Sequence, residues 1–97
     1  KNQSINVESI QNLVASHYNL NIKEMLSSRR SRSLARPRQI AMYLAKQHTT
    51  NSLPDIGRKF SNRDHTTVIH AVKKIDELIK NDNEIKQSVI EIRKKLL

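Results

Sequence analysis

Cysteine and tryptophan are absent from this chain, and it holds one glycine, one phenylalanine and two prolines. Without cysteine there is no disulfide framework and no thiolate metal site, which fits a reducing cytoplasm. One glycine cannot build a Gly-rich phosphate loop, and neither a nucleophile elbow nor paired catalytic carboxylates can be found, so no active site and no bound cofactor are expected. No apolar run approaches the length of a membrane span or of a signal-peptide core, so a soluble domain is expected. His17, His48, His65 and His70 form no His-Glu-x-x-His or other ligand pattern, so no metal is expected. The chain opens Lys1-Asn2-Gln3 without an initiator Met, the pattern of a domain excised from a longer protein, with residues 1–3 a linker remnant.

What is there in excess is positive charge. The 97 residues carry a net charge of +9, and the charge is not spread evenly. Between Met25 and Arg63 lie Arg29, Arg30, Arg32, Arg36, Arg38, Lys46, Arg58, Lys59 and Arg63 against the single acid Asp55, whereas the remaining charges nearly cancel. A concentrated excess of this kind is the footprint of a surface for a polyanion.

The length suits one domain with one modest core, and apolar residues recur at helical spacing, so an all-α bundle of about six helices is expected over residues 1–97. Ser4 or Asn6 can cap a first helix with Val7, Ile10, Val14 and Tyr18 on one stripe, ended by Asn19. Asn21 and Glu24 mark a short second helix from about Ile22. Residues 27–33 contain no apolar side chain and read as a basic loop. A third helix is predicted from about Leu34 to His48, with Pro37 in its first turn, burying Ile40, Ala41, Leu44 and Ala45. Ser52, three residues before Asp55, marks a helix through about Phe60 with Pro54 in its first turn. A long helix follows from Arg63 or Asp64, with Val68, Ala71, Val72, Ile75, Leu78 and Ile79 inward, and Asn81-Asp82-Asn83 separates it from a last helix carrying Ile85, Val89, Ile92 and Leu96.

The most specific pattern is the pairing at about 52–80. Ile56 and Phe60 supply apolar contacts, Gly57 leaves room for a crossing element, and Val68 and Val72 face back, as a helix-turn-helix requires. A generic bundle with an incidental surface glycine is the plainer alternative. The outward face of the second helix displays Arg63, Thr66, His70 and Lys73, with Lys74 at its edge, and its first turn holds Asp64, His65 and Thr66, where a recognition helix enters the major groove. Asp can accept from cytosine N4, Thr can use its hydroxyl or methyl, and His can donate or accept. Asp64 also suits a helix N-cap, and the two roles are compatible. Arg63, at the head of this cationic face, is assigned to the DNA backbone. The five arginines from Arg29 to Arg38 have no acid among them and are too many to pair internally. One of them entering a narrow A·T minor groove and a solvated loop touching only phosphate are both open readings.

The run Arg63-Asp64-His65-Thr66-Thr67-Val68-Ile69-His70-Ala71 closely resembles the signature of the DnaA family of bacterial replication initiators. Ser28 to Gln39 looks like that family's basic loop and following helix, and Ser52-Leu53-Pro54-Asp55-Ile56-Gly57 like the first helix of its helix-turn-helix. The resemblance implies a C-terminal domain that binds double-stranded A·T-rich DnaA boxes at the replication origin. It further implies a cytoplasmic, nucleoid-associated parent protein whose AAA+ domain, absent here, binds ATP or ADP and whose copies meet on DNA through absent domains. By position in the matching motifs, Arg30 looks like the minor-groove reader and Asp64, His65 and Thr66 like the major-groove readers. Pro54 and Thr67 resemble further groove contacts, and Arg32, Arg38, Gln39, Lys46, Leu53, His70 and Lys74 resemble backbone contacts. Ser61-Asn62 stands where the family commonly has Gly-Gly; Ser takes a left-handed backbone less readily than Asn, so the turn is expected to be set differently. The competing functions are a basic module on acidic phospholipid, which lacks Trp or Phe beside its arginines, and a protein-interaction bundle.

Overall fold

The computed structural model describes residues 5–97, so Ser4 and the expected linker at 1–3 lie outside the described residues. Among those described, the chain forms six α-helices and no strand: α1 (Val7–His17), α2 (Ile22–Met25), α3 (Arg32–His48), α4 (Leu53–Lys59), α5 (His65–Asn81) and α6 (Asn83–Leu96). No helix among these residues is long and apolar enough to cross a membrane.

Short polar side chains set the helix starts. Asn6 accepts from the Ser9 amide at 2.8 Å, Asn21 from Lys23 at 2.8 Å and Ser52 from Asp55 at 3.2 Å, each taking up an amide that the first turn leaves without a partner. Asp82 accepts from the amides of Glu84 and Ile85 and is the one non-helical residue between α5 and α6. Asn19, with φ 54°, turns the chain out of α1 through the left-handed region, which Asn tolerates better than most residues.

The third helix differs from the expectation. It starts at Arg32 rather than near Leu34, which shortens the basic loop and puts Pro37 sixth in the helix, beyond its first turn. Proline cannot donate to the carbonyl one turn back. That carbonyl belongs to Ser33, an exposed residue near the start of the helix.

Every residue from Ile40 to Ala45 is buried, so α3 is apolar all round in its middle and forms the axis on which α5 and α1 pack. Ile10, Val14, Ile56, Phe60, Val68, Ile75 and Ile92 close the core around it at 0% exposure. Buried Gln11 on α1 donates from Nε2 to the Lys59 carbonyl at the end of α4 (2.9 Å), and the Lys59 ammonium pairs with Glu8 at 3.0 Å. These two contacts fasten α4 to α1. The Lys59 bond also holds the Glu8 carboxyl below its ordinary range.

Away from the basic surface, the Arg93 Nε–H of α6 donates to His48 Nε2 at the end of α3 (3.1 Å). This bond needs an unprotonated His48 Nε2. Burial, then the nearby Arg93 charge, pushes the His48 pKa below its ordinary value. As pH falls below about 6.5 the unfolded chain takes up a proton that the folded chain resists, so stability is full above that value and declines below it until the folded pKa is passed. Thermal melts are expected to show a lower midpoint at about pH 5.5 than at about pH 7.5, and His48→Gln should shrink the difference.

Candidate nucleic-acid interface

Gly57 decides how α4 meets α5. A Cβ built there would lie 2.2 Å from the Arg63 carbonyl oxygen, so the turn folds directly over this residue. The Gly57 carbonyl in return accepts from the amides of Phe60 (3.1 Å) and Arg63 (2.9 Å). The close approach is to the turn preceding α5 rather than to the helix itself.

Ser61 and Asn62 occupy the corner with φ 61° and 57°. Serine takes this conformation less readily than asparagine, yet both residues adopt it here. The Ser61 hydroxyl donates to the Leu26 carbonyl at 2.7 Å, a bond that offsets part of the backbone strain and that glycine could not make.

Asp64 holds the N-cap position of α5, but its side chain makes no capping bond to a backbone amide. The carboxylate instead accepts from the Thr66 hydroxyl (2.8 Å) and from His65 Nδ1 (3.1 Å). The Thr66 bond above all holds the Asp64 carboxyl below the usual range, with His65 adding to it, against an opposing effect of desolvation. The group is therefore an anion at neutral pH. Asp64, His65, Thr66 and Thr67 are all exposed, as are Arg30 on the basic loop and Pro54 on the first turn of α4. Thr66, His70 and Lys73 are exposed while Val68, Ala71 and Ile75 are buried, so α5 turns the expected cationic face outward.

The basic loop lies against this helix. Arg30, Arg32, Ala35, Arg36, Gln39, His70 and Lys74 line one concavity of about 390 Å³, and Ser28, Arg30, Arg38, Ser61, Arg63 and Thr67 line another of about 360 Å³. Lys46 is exposed farther along α3, and half-buried Leu53 opens α4.

Two arginines assigned to the DNA backbone are turned inward. Arg63 is half-buried, and its guanidinium donates to the carbonyls of Phe60 (2.7 Å), Leu26 (3.2 Å) and Ser27. Arg38 is 7% exposed and donates from Nε to the Met25 carbonyl at 2.7 Å, while one of its terminal nitrogens is buried with no partner among the described residues. Of the five arginines read as too many to pair internally, Arg38 finds a backbone carbonyl, an acceptor the sequence does not display. Arg29 also reaches Glu24 at 3.9 Å, and Arg36 donates to the Gln39 side chain at 3.0 Å. Sequence reasoning left out Arg36, Ser28 and Ser61 as lining residues. Arg36 stands one turn beyond Arg32 on α3, a spacing that could have signalled it.

Residues 7–75 match the sequence family described as bacterial dnaA protein helix-turn-helix. This chain belongs to that DnaA family. The chromosomal replication initiator proteins DnaA of Rickettsia canadensis (strain McKiel), Rickettsia rickettsii (strain Sheila Smith) and Rickettsia felis (strain ATCC VR-1525 / URRWXCal2) are each 58% identical over 85 residues, covering 88% of this chain and 18% of theirs. The chain thus spans less than a fifth of the length of these DnaA relatives. A crystal structure of a DNA replication initiation factor superposes with a TM-score of 0.77 at 31% identity, covering 94% of this chain and 29% of that one.

Proposed function

We propose that this domain binds double-stranded DNA sequence-specifically, reading A·T-rich DnaA boxes at a replication origin, the first turn of α5 in the major groove and Arg30 in the adjacent minor groove. The observation that carries the reading is the adjacency of an exposed basic loop and an exposed helix start, with cationic and polar side chains lining the concavities between them. Asp64, His65, Thr66, Thr67, Pro54 and Arg30 are the base-contacting residues in this proposal. Arg32, Gln39, Lys46, Leu53, His70 and Lys74 contact the backbone. Arg38, a residue lining the same space as Arg30 and Thr67, joins them in this proposal. Arg63 is left out, its guanidinium being occupied.

Phosphate contacts set register and base contacts set specificity, and the two are separable by experiment. In a competition at fixed salt between a box duplex and a scrambled one, Asp64→Ala or Thr66→Ala should cost about 1–3 kcal/mol on the box and little on the scrambled duplex. Lys46→Ala should weaken both alike. Equal losses on both duplexes for all three variants would remove base reading.

The parent protein is proposed to be a cytoplasmic, nucleoid-associated initiator that carries ATP or ADP in an AAA+ domain outside this chain, with copies meeting on DNA through other domains. Attachment to acidic phospholipid has less support: the one large hydrophobic side chain strongly exposed among the described residues is Leu97, at 80%, and insertion needs an apolar face. Flotation with anionic liposomes that persists in competitor DNA would reverse that preference.

A further inference from the structure

The basic loop has no apolar side chain to anchor it, yet its root is tied down. Four-residue α2 ends in carbonyls that no helical amide can reach. Leu26 and Ser27 give theirs to Arg63, Leu26 also accepts from the Ser61 hydroxyl, and Met25 accepts from Arg38. All these donors come from elsewhere in the fold: Ser61 and Arg63 from the α4–α5 turn, Arg38 from α3. Arg63 adds a bond to Phe60 within its own turn, so one guanidinium spans both segments.

The clamp therefore sits at the root of both proposed reading elements. Arg63 immediately precedes Asp64, and Ser27 lies three residues before Arg30. We infer that Arg63, aided by Ser61 and Arg38, is a positioning residue that holds the basic loop in register with the first turn of α5, so that a minor-groove contact and the major-groove contacts fall on one stretch of duplex. The inference rests on the two-groove reading above. It also assigns a purpose to Ser61, whose hydroxyl fastens the turn to the loop at a cost in backbone strain.

Guanidinium bonds to carbonyls are charge-assisted, and a planar fork can serve several acceptors at once. Lysine keeps the charge but offers a single ammonium, so Arg63→Lys isolates the clamp from simple electrostatics. Binding should be measured at fixed salt to a box duplex, to the same duplex with its A·T flank changed to G·C, and to a scrambled duplex. The wild-type chain should prefer the A·T flank by about tenfold, and Arg63→Lys should bring that preference to within about twofold of none. Combining it with Arg30→Ala should add no further loss of flank preference, because both changes disable the same contact. A full flank preference in Arg63→Lys, or losses that add, would overturn the inference.

Relaxation measurements on the unbound chain separate this inference from the reading on which it rests. Amides 28–31 should drop from the rigid range near 0.85 in order parameter to below about 0.6 in Arg63→Lys. Should the wild-type chain ignore the flank altogether, the two-groove reading fails and the clamp is decided by these amides alone. Should Arg63→Lys not fold, Ser61→Gly takes its place: it removes one tie while relieving the left-handed backbone, so it should leave thermal stability nearly unchanged and still loosen the loop. Unaltered loop amides in the variants that fold would refute the clamp.

Discussion

Gly57→Ala is expected to dismantle the helix-turn-helix, lowering unfolding free energy by about 3 kcal/mol or more, the upper end of overpacking costs. In an open helical position the same change would stabilise by nearly 1 kcal/mol through helix propensity. Here the added carbon meets the Arg63 carbonyl oxygen at 2.2 Å and its carbon at 3.2 Å. Both atoms belong to the main chain, so no rotamer change can make room and the turn itself must move. That movement would break the bonds from the Phe60 and Arg63 amides to the Gly57 carbonyl and displace the start of α5. Urea unfolding should report the destabilisation, and affinities for box and scrambled duplexes should fall together. A wild-type unfolding midpoint would show that the turn does not depend on this close approach.

Phe60→Ala should be comparably severe, at about 3–5 kcal/mol. Phe60 is the chain's one phenylalanine, is 0% exposed, and is among the largest side chains fully buried in the core. It caps the end of α4, so the cavity would open at the corner of the helix-turn-helix itself. A domain of this size has about 5–15 kcal/mol in total, and the loss should lower the thermal midpoint by more than about 12 °C. Lys46→Ala, on the surface, should stay within about 0.5 kcal/mol. A midpoint for Phe60→Ala within a few degrees of wild type would place the weight of the core elsewhere.

The helices were legible because burial repeats along them with a simple period. Val68, Ala71 and Ile75 are spaced as one face must be, and Ser52 and Asp82 stand where amides need acceptors. The outward face of α5 followed from the same geometry, which is why Thr66, His70 and Lys73 were found without tertiary information. Arg38 and Arg63 escaped because an arginine that bonds to main-chain carbonyls leaves no complementary residue in the sequence; only the fold brings Met25, Leu26 and Ser27 within reach. Gln11 escaped for the same reason, its partner being a carbonyl on α4. The start of α3 was misplaced because proline was expected only in a first turn, whereas here it stands sixth in the helix.

In the unbound domain the Asp64 carboxylate is already engaged by its two neighbours. In the proposed complex the Asp64 carboxylate therefore reaches the base edge already oriented by those neighbours, with little side-chain freedom left to surrender, so a matching base gains nearly the whole bond that Asp64→Ala would remove.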